Sequence, residues 1–544
     1  MDRIFASRTV LPPVVRVLAL LALALAVHSL RAESCSVLKH AAPSDADKAF
    51  LAADYATAEG LYKADLARHP GDATLTAGLV HAQLRQQKVQ DAADTVKAAL
   101  TANPQSADLL ALRGEVEFRQ GDLWLVQPTV ISAYKLNPCN PRTHFLFARL
   151  KLAESNYATA RQQILLAHEM DPQDPEIRWA WILTLPLQQR IAEAEAYFSA
   201  PSGDDREALA RMRADLEQWK ARATEPEGSC SLSSAPAPAD ISFIKLMFNM
   251  QHMRALGLEV ALNGNTARMD FSTGQSGLTL YRAAADRAGL KRISQPQAGA
   301  FPGAKPTYRA HADSIKIGGL EFKDCTVTVI DGGSPFDDGD GMIGMDVFPD
   351  FLVTLDFPMR KLLLAPLPAR PGNAAQPASR LLTMGGGDMM AADSRPPQDR
   401  FVDPSMQDYT QAYRFSNDLV LPAMLNDKLI KLFILDTGTP ATNISPDAAR
   451  AVAKVHFMDR PKFGPAAAGP DKLLVADEIN YSFAHFTQKL NGVVAFDTSM
   501  ATRAAGTEIS GFIGANTLQL LTVHLDYRDG LVKLDYVPNR GYKY

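Results

Sequence analysis

The chain repeats itself at long range, and this repetition constrains its fold more than any local pattern. Gly341-Met342-Ile343-Gly344 returns as Gly511-Phe512-Ile513-Gly514. Val353-Thr354-Leu355-Asp356-Phe357 returns as Val523-His524-Leu525-Asp526-Tyr527, at the same offset. An apolar run leading into a polar-Thr-Gly turn recurs as well. Met269-Asp270-Phe271-Ser272-Thr273-Gly274 parallels Phe433-Ile434-Leu435-Asp436-Thr437-Gly438, which aligns Ser272 with Asp436. This last offset is shorter by six, which fits one longer surface loop, where insertions are tolerated. Each turn precedes a helix-like segment, 281–290 and 446–453. Short β-type runs separated by Gly, Asp and Asn turns fill the rest. Two related all-β units are expected at 241–368 and 401–544. A linker at 369–400 joins them and contains Gly385-Gly386-Gly387.

Residues 45–222 follow a different rule. Pro70, Pro104, Pro138 and Pro172 stand 34 residues apart. The phrase Tyr-Ala-Thr-Ala occurs at Tyr55 and again at Tyr157, three periods later. A 34-residue period of paired helices closed by proline resembles the tetratricopeptide repeat. Proline ends each second helix because it lacks an N–H and restricts the residue before it. Trp124-Leu125-Val126-Gln127-Pro128 departs from the pattern and predicts a distorted helix there. Stacked repeats of this kind leave a concave groove, which the resemblance assigns to a peptide or protein partner. A Pro/Ser/Ala-rich linker, 223–240, separates the repeats from the β units.

Segment 1–32 carries Arg3, Arg8 and Arg16 ahead of an apolar stretch, Leu18 to Val27, and then a polar, small-residue tail. This is the layout of a signal peptide, so the expected location is periplasmic or cell-surface. An uncleaved N-terminal anchor is the alternative, as is a lipoprotein at Cys35, although Glu33 is out of place in such a cleavage site. With 47% apolar and 21% charged residues the chain is globular rather than disordered. Its net charge of −4 and lack of a dense Lys/Arg block argue against nucleic acid as a partner. Cys35, Cys139, Cys230 and Cys325 show no CxxC spacing, so no zinc site is expected. Export would permit disulfides, with three full pairings open, and isolated buried thiols are an equal alternative.

The two β units resemble retropepsin-like aspartic protease lobes, and the resemblance covers most of the chain after 240. It implies that Asp436 is a catalytic carboxylate, that Thr437 and Gly438 shape its loop, and that Ile513 and Gly514 support the loop from beneath. Ser272, Thr273 and Gly274 form the degenerate counterpart. The chemistry wants two carboxylates sharing one proton and holding one water, and Ser272 cannot be the second. Three outcomes follow: pairing of Asp436 with Asp436 of a second copy in a homodimer, slow action of one Asp alone, or a retired site that only binds peptide. Asp270, two residues earlier, lies too far along the strand to substitute. The expected fold is a helical tetratricopeptide-type solenoid followed by two all-β lobes. The expected function is peptide-bond hydrolysis without metal or cofactor, and the alternative is an inactive peptide-binding scaffold. Asp337-Asp338-Gly339-Asp340 reads as a solvated turn rather than a calcium loop. Asp497-Thr498-Ser499 reads as a loop, and Asp526, His485 and His524 read as structural.

Overall fold

The computed structural model describes residues 35–224, 230–249, 252–296, 305–335, 338–371, 397–459 and 472–538. The expected signal segment, the Gly385–Gly387 run and Asp337 lie outside the described residues. The chain divides into Met1–His40 and Ala41–Tyr544, and all the helices and strands below belong to the second unit. Among the described residues no helix is long and apolar enough to cross a membrane.

The 34-residue period is visible in the helix starts. Helices open at Ala73, Ala107, Pro141 and Pro175, and their partners at Tyr55, Val89, Leu123 and Tyr157. Asp72, Ser106, Asn140 and Asp174 cap the first series, each side chain accepting hydrogen bonds from first-turn backbone N–H groups. The partner helices end at Arg68, Ala102, Leu136 and Met170, two residues before each periodic proline. The residue between takes an extended φ, from −128° to −146°, because proline excludes the helical region just before it. Alanines at 58, 82, 92, 133, 148, 160 and 167 are fully buried and let the helices approach closely. The helix expected to be distorted at Pro128 is not broken there. Helix Leu123–Leu136 runs through it, losing one hydrogen bond near its start while Leu123, Val126, Val130 and Ala133 anchor one face.

The first β unit is a closed barrel. Strands Asn265–Ser272, Gly341–Gly344, Leu278–Tyr281, Leu320–Ile330, Thr307–Ile317 and His252–Leu262 pair in that order and return to the first. Cys230 precedes it and is bonded to Cys325 on Leu320–Ile330, and none of the four cysteines is free. The second unit repeats the same core around Asp418–Leu425, Leu429–Leu435, Gly511–Ile513 and Lys472–Phe483. Helices Arg282–Arg287 and Pro446–Val452 fall within the two expected segments.

A third sheet joins the units. Phe351–Asp356 pairs antiparallel with Thr522–Asp526, and Thr354 faces His524. These two residues are equivalent under the shift that superposes the two copies in sequence, so a pseudo-twofold axis passes between them. Thr354 Oγ1 and His524 Nδ1 are 2.9 Å apart, and His524 Nε2 is 3.0 Å from Asp535 Oδ2. His524 is therefore structural. Asp526 also serves structure, pairing with Leu352 and Leu531 and accepting from Asp529 N–H.

One strand does two packing jobs. Phe433 and Leu435 of Leu429–Leu435 enter the shared lobe core, while Leu432 and Ile434 face the repeats. There they meet Phe118, Val126, Val130, Leu146 and Leu150. Strand alternation sends neighbouring side chains to opposite faces, and both faces are covered. Backbone contacts reinforce this junction: Glu508 N–H donates to Arg119 O at 3.0 Å and Thr507 Oγ1 donates to Phe118 O at 2.5 Å. The strand leading into Asp436 is thus held from the repeat side as well as from its own lobe.

Candidate active site

Leu429–Leu435 ends at the turn Asp436-Thr437-Gly438, and Asn265–Ser272 ends at Thr273-Gly274. Each strand has a short parallel neighbour. Gly511–Ile513 runs beside the first and Gly341–Gly344 beside the second. These are the expected supports: Ile513 O accepts from Asp436 N–H at 3.1 Å, and Gly514 N–H donates to Thr442 Oγ1 at 3.0 Å.

The two turns meet face to face. Thr273 Oγ1 donates to Leu435 O at 2.8 Å and accepts from Thr437 N–H at 3.0 Å. In return Thr437 Oγ1 accepts from Thr273 N–H at 3.0 Å and donates to Phe271 O at 3.4 Å. Each threonine thereby ties its own turn to the opposite one. The clasp is complete within one chain. Pairing of Asp436 with its copy in a second molecule would require the clasp to open, because Ser272 and Thr273 occupy the place the second turn would take.

Asp436 sits half-buried among three donors. Gly438 N–H reaches Oδ1 at 2.8 Å, Ser272 Oγ reaches Oδ1 at 3.3 Å, and Thr439 Oγ1 reaches Oδ2 at 2.6 Å. Ser272 is itself buried and accepts from Gly274 N–H at 3.3 Å. The hydroxyl therefore stands where a symmetric site would place its other carboxylate. Gly438 is needed for space, since a side chain there would start 2.7 Å from Ser272 Oγ and 3.1 Å from Asp436 Oδ1.

A second carboxylate does approach, from a residue the sequence did not single out. Asp418 opens strand Asp418–Leu425, at the end of the hairpin that pairs it with Phe415. A side chain on Gly274 would begin 3.3 Å from Asp436 Oδ1 and 3.7 Å from Asp418 Oδ1. The two oxygens are therefore within about 7 Å of one another, the sum of those distances. Burial first, and then the Asp436 charge, push the Asp418 carboxyl up to about 7. Among the described residues no cation offsets these effects. The hairpin tip is pinned: Tyr527 Oη donates to Asn417 O, and Arg414, stacked 4.1 Å over the Tyr527 ring, donates to Tyr527 O. The signal was the hairpin turn Ser416-Asn417 one strand before the motif, which by itself reads as an ordinary connection.

Other acidic residues have structural roles. Asp270 lies inside its strand, paired with Gly257 and Met342. Asp338 receives Arg268, and Asp340 receives Arg287 and the Arg268 backbone. Asp497 accepts from Ser499 N–H at the start of helix Ser499–Ala505. No group of three or more metal-ligating side chains occurs among the described residues.

Two barrel-type lobes about a pseudo-twofold, with threonine-clasped turns over parallel supports, follow a helical repeat domain, an arrangement similar to retropepsin-like aspartic protease lobes. Residues 258–347 match the family model described as Aspartyl protease, so the matched segment is the lobe bearing Ser272. None of the curated proteins matches the chain. Among solved structures, an aspartic proteinase from Irpex lacteus is similar over 56% of this chain and 98% of its own, at 11% identity and a TM-score of 0.33. A thermophilic TPR protein from Thermus thermophilus is similar over 32% of this chain and 95% of its own, at 17% identity and a TM-score of 0.26. A retropepsin-like aspartic protease from Rickettsia conorii is similar over 24% of this chain and 92% of its own, at 19% identity and a TM-score of 0.18.

Proposed function

We propose that the protein is an exported aspartic endopeptidase in which Asp436 activates the attacking water, with the repeats docking substrate or partner. The observation that carries this reading is the Asp436 turn. It is clasped to its counterpart by Thr273 and Thr437, and Thr439, Gly438 and Ser272 fix the carboxylate. A fixed carboxylate needs no reorganisation when it accepts a proton from water.

Docking is supported by the cavity of about 420 Å³ lined by the repeats and by Arg503 of the second lobe. Arg85 and Arg142 there are neutralised by Glu115, Asp174, Glu176 and Asp204. Arg119 and Arg149 make no ion pair among the described residues, and burial lowers both, Arg149 to about 10. Two under-compensated guanidinium groups suit a peptide carboxylate or acidic side chain. The signal-type N-terminus supports export to the periplasm or cell surface.

The test is cleavage of a peptide library from pH 3 to 8 by the mature protein and by Asp436→Ala. Cleavage lost in the variant supports the endopeptidase. Cleavage by neither protein favours the second reading, a peptide-binding scaffold, for which Ser272 in place of a carboxylate is the specific observation.

A further inference from the structure

The endopeptidase reading leaves a chemical gap: one turn provides a carboxylate and the other a hydroxyl. We infer that Asp418 fills this gap, so that the proton-sharing pair is Asp418 and Asp436, both from the second lobe, and the site is complete in a single chain. The inference rests on the endopeptidase reading.

Geometry is the first ground. Asp418 Oδ1 and Asp436 Oδ1 converge on the space above Gly274, where any side chain would stand 3.7 Å from one and 3.3 Å from the other. A glycine there keeps any side chain out of the space between the two carboxylates. The hairpin tip is anchored by Tyr527 and Arg414, so Asp418 is carried on a fixed element rather than a free loop.

The division of roles follows from hydrogen bonding. Three donors converge on Asp436, which suits the proton-accepting carboxylate. Among the described residues no donor or cation offsets the burial of Asp418, and the titratable groups that face it are Asp436 and, from the neighbouring strand end, Tyr527. A carboxyl so placed keeps its proton near neutral pH and can donate it. In the first step water attacks the scissile carbonyl carbon. The water's proton passes to Asp436, and the Asp418 proton passes to the carbonyl oxygen, giving a gem-diol. In the second step the Asp436 proton moves to the amide nitrogen, a gem-diol hydroxyl returns its proton to Asp418, and the C–N bond breaks. One peptide and one water become one carboxylic acid and one amine, and the pair regains its starting state.

The sharpest test compares wild type, Asp418→Asn, Asp436→Asn and Ser272→Ala on one cleaved peptide, from pH 4 to 9. Asp418→Asn should lose 10²- to 10⁴-fold in kcat, and Ser272→Ala less than 10-fold. The wild-type rate should fall above about pH 7, as Asp418 loses its proton. Carboxyl-13C NMR of the aspartate-labelled full chain reads the pair without turnover. The Asp418 midpoint should lie near 7 and move down in Asp436→Asn. If wild type cleaves, Asp436→Asn does not, and Asp418→Asn keeps the wild-type rate and pH profile, the inference is overturned while the endopeptidase reading stands. An Asp418 resonance titrating in the ordinary carboxylate range, or unmoved by Asp436→Asn, overturns it too, even if Asp418→Asn fails to fold. If wild type cleaves nothing, the endopeptidase reading fails and the catalytic role of Asp418 falls with it.

Discussion

Replacing Thr273 by valine tests whether the turn-to-turn clasp holds the site together. The side chain is buried, and valine has nearly its shape, so packing is preserved and the hydroxyl alone is removed. Two bonds disappear, Thr273 Oγ1 to Leu435 O and Thr437 N–H to Thr273 Oγ1. What they leave behind costs more than the bonds themselves, since a stranded buried donor or acceptor costs about 1–3 kcal/mol. With two groups stranded, the expected loss is about 2–6 kcal/mol. Thr437→Val should cost less, because Thr437 is more exposed and its bond to Phe271 O is long, at 3.4 Å. Thr273→Ser should restore most of the loss. Tryptophan fluorescence is the wrong probe, since all four tryptophans (Trp124, Trp179, Trp181 and Trp219) lie in the repeats. Hydrogen exchange over 429–440 reads the Thr437 amide directly. Because about 1.4 kcal/mol is a factor of ten, protection should fall by roughly 30-fold or more in Thr273→Val. Unchanged protection, or a larger effect from Thr437→Val, would refute the clasp as described.

Three further outcomes are expected. Gly438→Ala places a methyl carbon 2.7 Å from Ser272 Oγ, so the turns must separate and kcat should drop at least 10-fold, measured beside the melting temperature. Removing the Cys230–Cys325 bond by Cys325→Ser opens a loop spanning 95 residues, and chain entropy puts the loss at about 4.7 kcal/mol, checked by urea unfolding with and without reductant. Glu59 and Glu115 are held at about 2, Glu59 chiefly by bonds from Lys63 and Lys88, and Glu115 by Arg142 and His81 against the opposing effect of burial. A depressed carboxyl contributes stability above its unfolded value and loses it as pH falls, so the repeats should destabilise progressively from about pH 4.5 to 2, followed by tryptophan fluorescence.

Much of this architecture is legible in the chain because it is periodic. The prolines at 70, 104, 138 and 172 mark where each second helix closes, two residues after its last turn, since a proline break is local chemistry. The lobes are legible because two of the repeated segments share one offset, and the paired turns recur six residues short of it. Pro128 misleads because tertiary contacts on one helix face outweigh one missing hydrogen bond. Asp418 is invisible in sequence because its approach to Asp436 depends on a hairpin and a neighbouring strand lying side by side, and no spacing rule encodes that distance. The coverage of Leu432 and Ile434 by the repeats is hidden for a similar reason: an apolar strand does not say which element shields it.

Thr354 facing His524 has a consequence for how such a chain could arise. An interface in which each residue meets its own counterpart is self-complementary, the property that lets identical subunits dimerise. Two copies joined end to end inherit that fit, and each half is then free to change alone. One half can exchange its acid for a hydroxyl, while the other gains a solenoid against the outward face of its Leu429–Leu435 strand. The centre keeps its symmetry because assembly depends on it, and the asymmetry accumulates where only chemistry and company are at stake.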